Sequence, residues 1–175
     1  MKLLSLLFLT LSLNAYSATE LQSVSHVDLN QYVGKWYEIS RYANSFQKEC
    51  AGVTAEYTNV GSYIEVKNSC QRSSDLTVKV ANGFARVSDK QTNSKLKVSF
   101  VPFFGRYGWF AGNYWIIELG ENYEYAVIGE PKRKFLWILS RTKTLPESLY
   151  NELLDRLENK HHYDTSKLIK TPIWL

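Results

Sequence analysis

Three histidines, two cysteines and a scatter of acids and arginines are the groups in this 175-residue chain that could do proton or covalent chemistry. His26, His161 and His162 fall outside the segments that alternate like strands, so no nucleophile–base pair and no metal set can be assembled from them in one place. His161-His162 follow a helical stretch, where a cation suits the C-terminal end of the helix dipole. Cys50 and Cys70 are not spaced as C-x-x-C, the arrangement expected of a redox pair. They lie on two alternating runs joined by the turn sequence Asn59-Val60-Gly61-Ser62, and folding a hairpin there sets position 50 opposite about position 70 or 71. A cross-hairpin Cys50–Cys70 disulfide is therefore expected; two free thiols are the alternative. Glu38 shares a strand face with Trp36 and reads as a buried, hydrogen-bonded carboxylate. These residues predict no catalytic group, no metal site and no cofactor.

The chain is richer in apolar rings than in reactive groups: it holds 5 Trp, 12 Tyr and 8 Phe. Its formal charge of +4 is dispersed, and Lys132-Arg133-Lys134 is its longest basic run, which argues against nucleic acid as a partner. Residues 1–17 carry Lys2, an apolar run over Leu3–Leu13 and small residues at Ala15 and Ser17. That is the pattern of a secretory signal peptide cleaved before Ala18, and the run is shorter than the about 20 residues of a membrane span. The expectation is one domain over 18–175, exported to the periplasm or secreted, soluble and without an N-terminal lipid anchor, since no cysteine lies near the cleavage point.

Elements that hold the rings in place follow from the alternation. Strands are predicted over about 35–43, 51–59, 63–70, 76–88, 95–101, 113–119, 123–129 and 135–141, with Asn82-Gly83 as a bulge or bend in the fourth. Thr144 and Glu147 read as a capping box opening a helix whose stripe is Leu149, Leu153, Leu154 and Leu157. Lys167–Lys170 reads as a short added strand. Eight strands joined by short turns, with no crossover helix, make an antiparallel meander. The predicted fold is all-β: an eight-stranded up-and-down barrel with one C-terminal helix packed outside. Trp36 is large enough to plug one end, released by the turn at Gly34.

Parity then nominates a wall. Ala55, Tyr57, Ile64, Val66, Leu96, Val98 and Phe100 share the inward face of their strands, as do Phe135 and Trp137 on the eighth. On the sixth strand, Tyr114 and Ile116 compete with Trp115 and Ile117. Tyr57, Phe100, Tyr114, Phe135 and Trp137 are placed nearer the open mouth. Tyr37 and Ile39 should face the helix. The segment 102–110, Pro-Phe-Phe-Gly-Arg-Tyr-Gly-Trp-Phe, is apolar for a loop; it reads either as a lid over the mouth or as a contact for a membrane or partner.

Three segments carry a family resemblance. Asp28–Ile39 is similar to the G-x-W block of lipocalins, Tyr123–Gly129 to the block at the seventh strand, and Trp137–Thr142 to the block that ends the eighth strand with an arginine. The chain resembles the bacterial outer-membrane and apolipoprotein-D-like branches. The resemblance implies that Arg141 crosses the face of Trp36, making Gly34, Trp36 and Arg141 structural, and that Tyr114 and Ile116 face inward. It also implies a carrier that sequesters a lipophilic small molecule, a fatty acid or lysophospholipid, with Arg41 or Arg106 near the mouth for an anionic head. The alternatives are an enzyme on the same barrel, which would need a reactive group such as a free cavity thiol, or a membrane or partner contact through 102–110.

Overall fold

The computed structural model of the protein describes residues 19–102 and 110–172; the leader, most of the 102–110 loop and the last three residues lie outside the described residues. A single turn, α1 (Leu29–Tyr32), leads into β1 (Gly34–Tyr42), β2 (Cys50–Asn59), β3 (Ile64–Arg72), β4 (Val78–Val87), β5 (Lys95–Ser99), β6 (Gly112–Leu119), β7 (Tyr125–Gly129) and β8 (Leu136–Ser140). The helix α2 (Glu147–Asn159) follows, then a short β9 (Leu168–Lys170). Strands β2 to β8 pair in chain order, β8 pairs with β1, and β1 returns to β2. The last pairing closes the barrel: Gly34 to Tyr37 lie opposite Tyr57 to Thr54. Above Tyr37 β1 leaves β2, and β9 takes up its free edge from Ser40 to Tyr42.

The expected α1 cap is present, with the Asp28 carboxylate accepting from the Asn30 N–H at 2.9 Å. The Thr144–Glu147 capping box is not formed. The α2 N-cap is Pro146 and makes no side-chain bond, while the Thr144 carbonyl accepts from Thr142 Oγ1. Proline fixes the entry angle, leaving the threonine two residues before the N-cap, too early to reach the first free N–H groups. The helix buries Tyr150, Leu153 and Leu157, with Leu149 and Leu154 partly covered; Tyr150 belongs to the stripe although leucine spacing alone omits it. Ile39 packs against this face as expected, whereas Tyr37 lies outside that cluster with the Lys35 ammonium over its ring.

No bulge occurs at Asn82-Gly83, where β3 and β4 stay in register from Gln71↔Val78 to Ile64↔Ala85. The glycine serves a close approach instead: a Cβ there would lie 2.7 Å from the Phe100 ring and from the Ser99 carbonyl. Bulges fall at Glu38/Ser40, Cys50/Gly52 and Ile116/Glu118. The second displaces the hairpin register, so that Cys50 stands opposite Arg72 and Cys70 opposite Val53. The two cysteines are nevertheless bonded, with Cα atoms 5.3 Å apart. Closing that loop contributes about 3 kcal/mol in the chain-entropy account.

Helix α2 is tied to the barrel by a charge cluster. Glu118, on the outer face of β6, accepts from Lys160 Nζ and His161 Nε2, each at 2.7 Å, and from Arg156 Nη1 at 3.2 Å. Burial pushes its carboxyl up, but the hydrogen bonds and charges of His161 and Lys160 outweigh this and bring it down to about 2, against an ordinary 4.5. A carboxylate held below its unfolded value stabilises the fold above that value, and the contribution is lost as pH falls from about 4.5 toward about 2. Lys160 is largely exposed and screened, so Glu118→Gln is expected to cost about 1–2 kcal/mol at pH 7. The loss should shrink toward zero at pH 2 in urea titrations; an equal loss at both pH values would refute this assignment.

Candidate ligand-binding cavity

The floor is built from β1 and α1. Trp36 is fully buried, its indole N–H donates to the Tyr32 carbonyl at 2.8 Å, and its ring lies 5.1 Å from that of Tyr32. The Arg141 guanidinium sits 3.8 Å from the centre of the Trp36 ring. It donates to the carbonyls of Gln31, Lys35, Tyr32 and Tyr123 at 2.6, 3.0, 3.1 and 3.3 Å. One side chain thus collects the carbonyls left over where α1, β1 and the β6–β7 turn meet, which a planar fork of donors does better than an ammonium.

Beside the indole lies a layer of phenols. Tyr114 Oη is 2.7 Å from Tyr32 Oη and 2.9 Å from Tyr57 Oη. Burial pushes the Tyr57 hydroxyl up to about 12, and the other two are also raised. Tyr57 stands opposite Gly34, so Tyr57 and Tyr114 belong to the closed end, not nearer the mouth as expected from sequence. The reason is register: β1 meets β2 at the end of β2, not at its start.

Level with this layer and toward the closed end, Ile64, Val66, Leu96 and Ile116 are buried in one inner cluster with Ala55, and Val98, Tyr114 and Trp137 pack against it while keeping part of their surface accessible. Trp115 and Ile117 lie in the outer, helix-side cluster. Phe100 and Phe135 are not enclosed: they are 42% and 36% exposed, at the open end. Phe135 stacks on Trp137, and the Phe46 ring lies 6.1 Å from that of Phe135 between centroids. Leu139, Ala85, Ala126 and Ile128 join the inner cluster. Ala126 and Ile128, two residues apart on β7, were not among the residues nominated from sequence.

The reading of Glu38 as a buried, hydrogen-bonded carboxylate is borne out, but its partners carry no comparable sequence signal. Arg41 Nη1 lies 2.8 Å from Glu38 Oε1, and both side chains are almost fully buried. Glu38 also accepts from Gln47 Nε2 at 2.6 Å and Thr171 Oγ1 at 2.5 Å, while Arg41 Nη2 donates to the Gln47 carbonyl at 2.9 Å. Trp137 Nε1 donates to Gln47 Oε1 at 3.1 Å. Arg41 is therefore neutralised by Glu38 and is not a free cation for a head group; Arg106 lies outside the described residues. Gln47 reaches the pair from the loop that follows β1 and Thr171 from the far end of the chain, and only the fold brings the two together. Two clefts of about 410 Å³ each lie on the outer wall and near the closed end, lined largely by polar and charged side chains such as Glu56, Glu65 and Lys67 in one and Arg86 and Lys90 in the other.

A closed antiparallel barrel, plugged at one end and apolar along its inner wall, defines a calyx. The chain belongs to the lipocalin-like domain family, whose model matches residues 27–173. This is a family of proteins that bind and transport small hydrophobic molecules. The outer membrane lipoprotein Blc of Vibrio cholerae is 38% identical over 149 residues, covering 83% of this chain and 82% of that protein. Mouse apolipoprotein D is 31% identical, covering 82% and 76%. Insecticyanin of the tobacco hornworm Manduca sexta shares the fold, with a TM-score of 0.67 at 19% identity, covering 89% of this chain and 85% of its own. The resemblance to bacterial outer-membrane and apolipoprotein-D-like lipocalins is borne out.

Proposed function

We propose that this chain is an exported carrier that sequesters a fatty acid or lysophospholipid, its acyl chain inside the barrel and its head at the open end. The observation that carries this reading is the continuous apolar wall from Ile116 and Leu96 up to Val98 and Trp137, opening between Phe46, Phe100 and Phe135. Burying the chain supplies roughly 0.8 kcal/mol per methylene. Lys79, exposed opposite Cys70, is a cation at that end for an anionic head. Export is supported by the leader pattern and by the bonded cysteine pair, which suits an oxidising compartment. Among the described residues no helix is long and apolar enough to cross a membrane.

The enzymatic alternative needs a reactive group inside the barrel, and the free thiol that would have supported it is not there, since the two cysteines are bonded to each other. A second reading, peripheral membrane contact, is favoured by Phe46 and Phe110, which are 66% and 82% exposed. Titration with lysophosphatidylcholine and with palmitate is expected to give saturable Trp fluorescence changes, since Trp137 lines the wall. A flat response to both would refute the carrier reading. Pelleting with anionic vesicles in the same series tests the second reading, and protein that stays in the supernatant would dismiss it.

A further inference from the structure

The phenol layer at the floor has one more donor than the fold can use. Tyr32, Tyr57 and Tyr114 bring three O–H groups, and each phenol has one proton to give. Two hydrogen bonds join them, both through Tyr114. Whatever direction the bonds run, one hydroxyl proton finds no acceptor among the described residues. The layer is buried: Tyr32 and Tyr57 are 1% and 6% exposed, and Tyr114 packs against the inner cluster while part of its surface stays accessible. Leaving a buried O–H unpaired is unfavourable, so the site favours an acceptor arriving along the apolar interior from the open end of the barrel. Ionising a phenol there is disfavoured as well, as the raised Tyr57 hydroxyl shows. A carboxylate would bring a charge to a layer whose neighbouring cation, Arg141, already donates to four backbone carbonyls, so a neutral acceptor fits better.

We infer that Tyr32, Tyr57 and Tyr114 form a hydrogen-bonding subsite at the closed end of the barrel that selects hydrophobic ligands bearing a neutral acceptor oxygen, such as a ketone, ester or ether, on their deeply buried end. This rests on the carrier reading and narrows it. A plain acyl chain brings a methyl group to the floor and leaves the surplus proton unserved, whereas an oxygenated chain or an oxygenated cyclic lipid satisfies it.

The test compares 2-undecanone with undecane as displacers of N-phenyl-1-naphthylamine from the intact disulfide-bonded protein. The ratio of ketone to alkane affinity in wild type is expected to exceed that in Tyr32→Phe/Tyr57→Phe/Tyr114→Phe about tenfold, the factor one net hydrogen bond gives. The triple change removes donors and acceptors together, so the packing of the layer is kept. Should that variant not fold, the carbonyl stretch of 13C-labelled 2-undecanone bound to wild type decides: a shift to lower frequency than in undecane solution supports the subsite, and an unshifted band overturns it. Equal ratios in the two proteins overturn it too, with the proton then served by water. Displacement by neither compound would overturn the carrier reading itself, and the subsite with it.

Discussion

Replacing Arg141 with alanine is expected to destabilise the protein by about 3–4 kcal/mol, and with lysine by about half as much. The guanidinium accounts for four carbonyl acceptors at the closed end, at 2.6 to 3.3 Å, and lies on the Trp36 ring. Charge-assisted bonds of this kind are worth about 1.5–3 kcal/mol when buried, and partial exposure here brings the sum well below four times that. Lysine keeps the charge and can still approach the ring, but its ammonium cannot meet acceptors spread over three segments. Trp36→Ala, which empties a fully buried indole site, should cost about 3–5 kcal/mol. The pair should couple: in a Trp36→Phe/Arg141→Lys cycle the double change should cost less than the two singles together. Urea unfolding followed by far-UV circular dichroism measures all of these. An Arg141→Ala protein within 1 kcal/mol of wild type would show that water serves those carbonyls equally well. Gly34 belongs to the same construction: its φ is +93° and a Cβ would meet Arg141 Nη1 at 3.4 Å, so Gly34→Ala is strained by its backbone more than by its surroundings.

How much of this was legible in the sequence depended on whether local pattern or long-range register decided the outcome. Alternation placed eight strands and the inward faces of Ile64, Val66, Leu96 and Ala55, because a half-buried strand has no freedom to turn one residue over without exposing its whole apolar set. The Cys50–Cys70 bond was also legible, since a hairpin turn restricts which positions can meet. Height along the barrel was not. Tyr57 reads as a mouth residue until the pairing of Gly34 with Tyr57 is known, and nothing local to β2 encodes that pairing. Bulges were misplaced for a related reason: Asn82-Gly83 has bulge chemistry, yet the glycine answers the Phe100 ring, a neighbour from another strand. The phenol layer needed the height of Tyr57 and Tyr114 corrected, and Tyr32 brought in from α1, before its three hydroxyls could be counted together.

An effect as large as that of emptying the Trp36 site is expected at Arg41. Arg41→Met should cost about 3–5 kcal/mol, because it leaves the Glu38 carboxylate, whose side chain is 2% exposed, without its counter-charge. Gln47 and Thr171 would still donate to that carboxylate, but neutral donors do not balance a buried charge. Arg41→Met/Glu38→Leu should recover most of the loss, since an apolar pair of similar size avoids the desolvation that the ion pair must overcome. A large positive recovery in the cycle, on the order of 3 kcal/mol, is the expected signature in urea unfolding; a double variant as unstable as the single would mean that the group is held by shape, not by charge. The double variant also separates two roles. Gln47 ties the 43–49 loop to Glu38, Arg41 and Trp137 at once, so removing both charges frees the loop while restoring the core. If the ion pair serves chiefly to hold that loop against the mouth, the double variant should be about as stable as wild type yet be cleaved faster between Ala43 and Glu49 by a broad-specificity protease, and should release N-phenyl-1-naphthylamine faster. Unchanged cleavage and release would assign the pair to closing the seam between β1 and β9, where Thr171 reaches Glu38 from the far end of the chain.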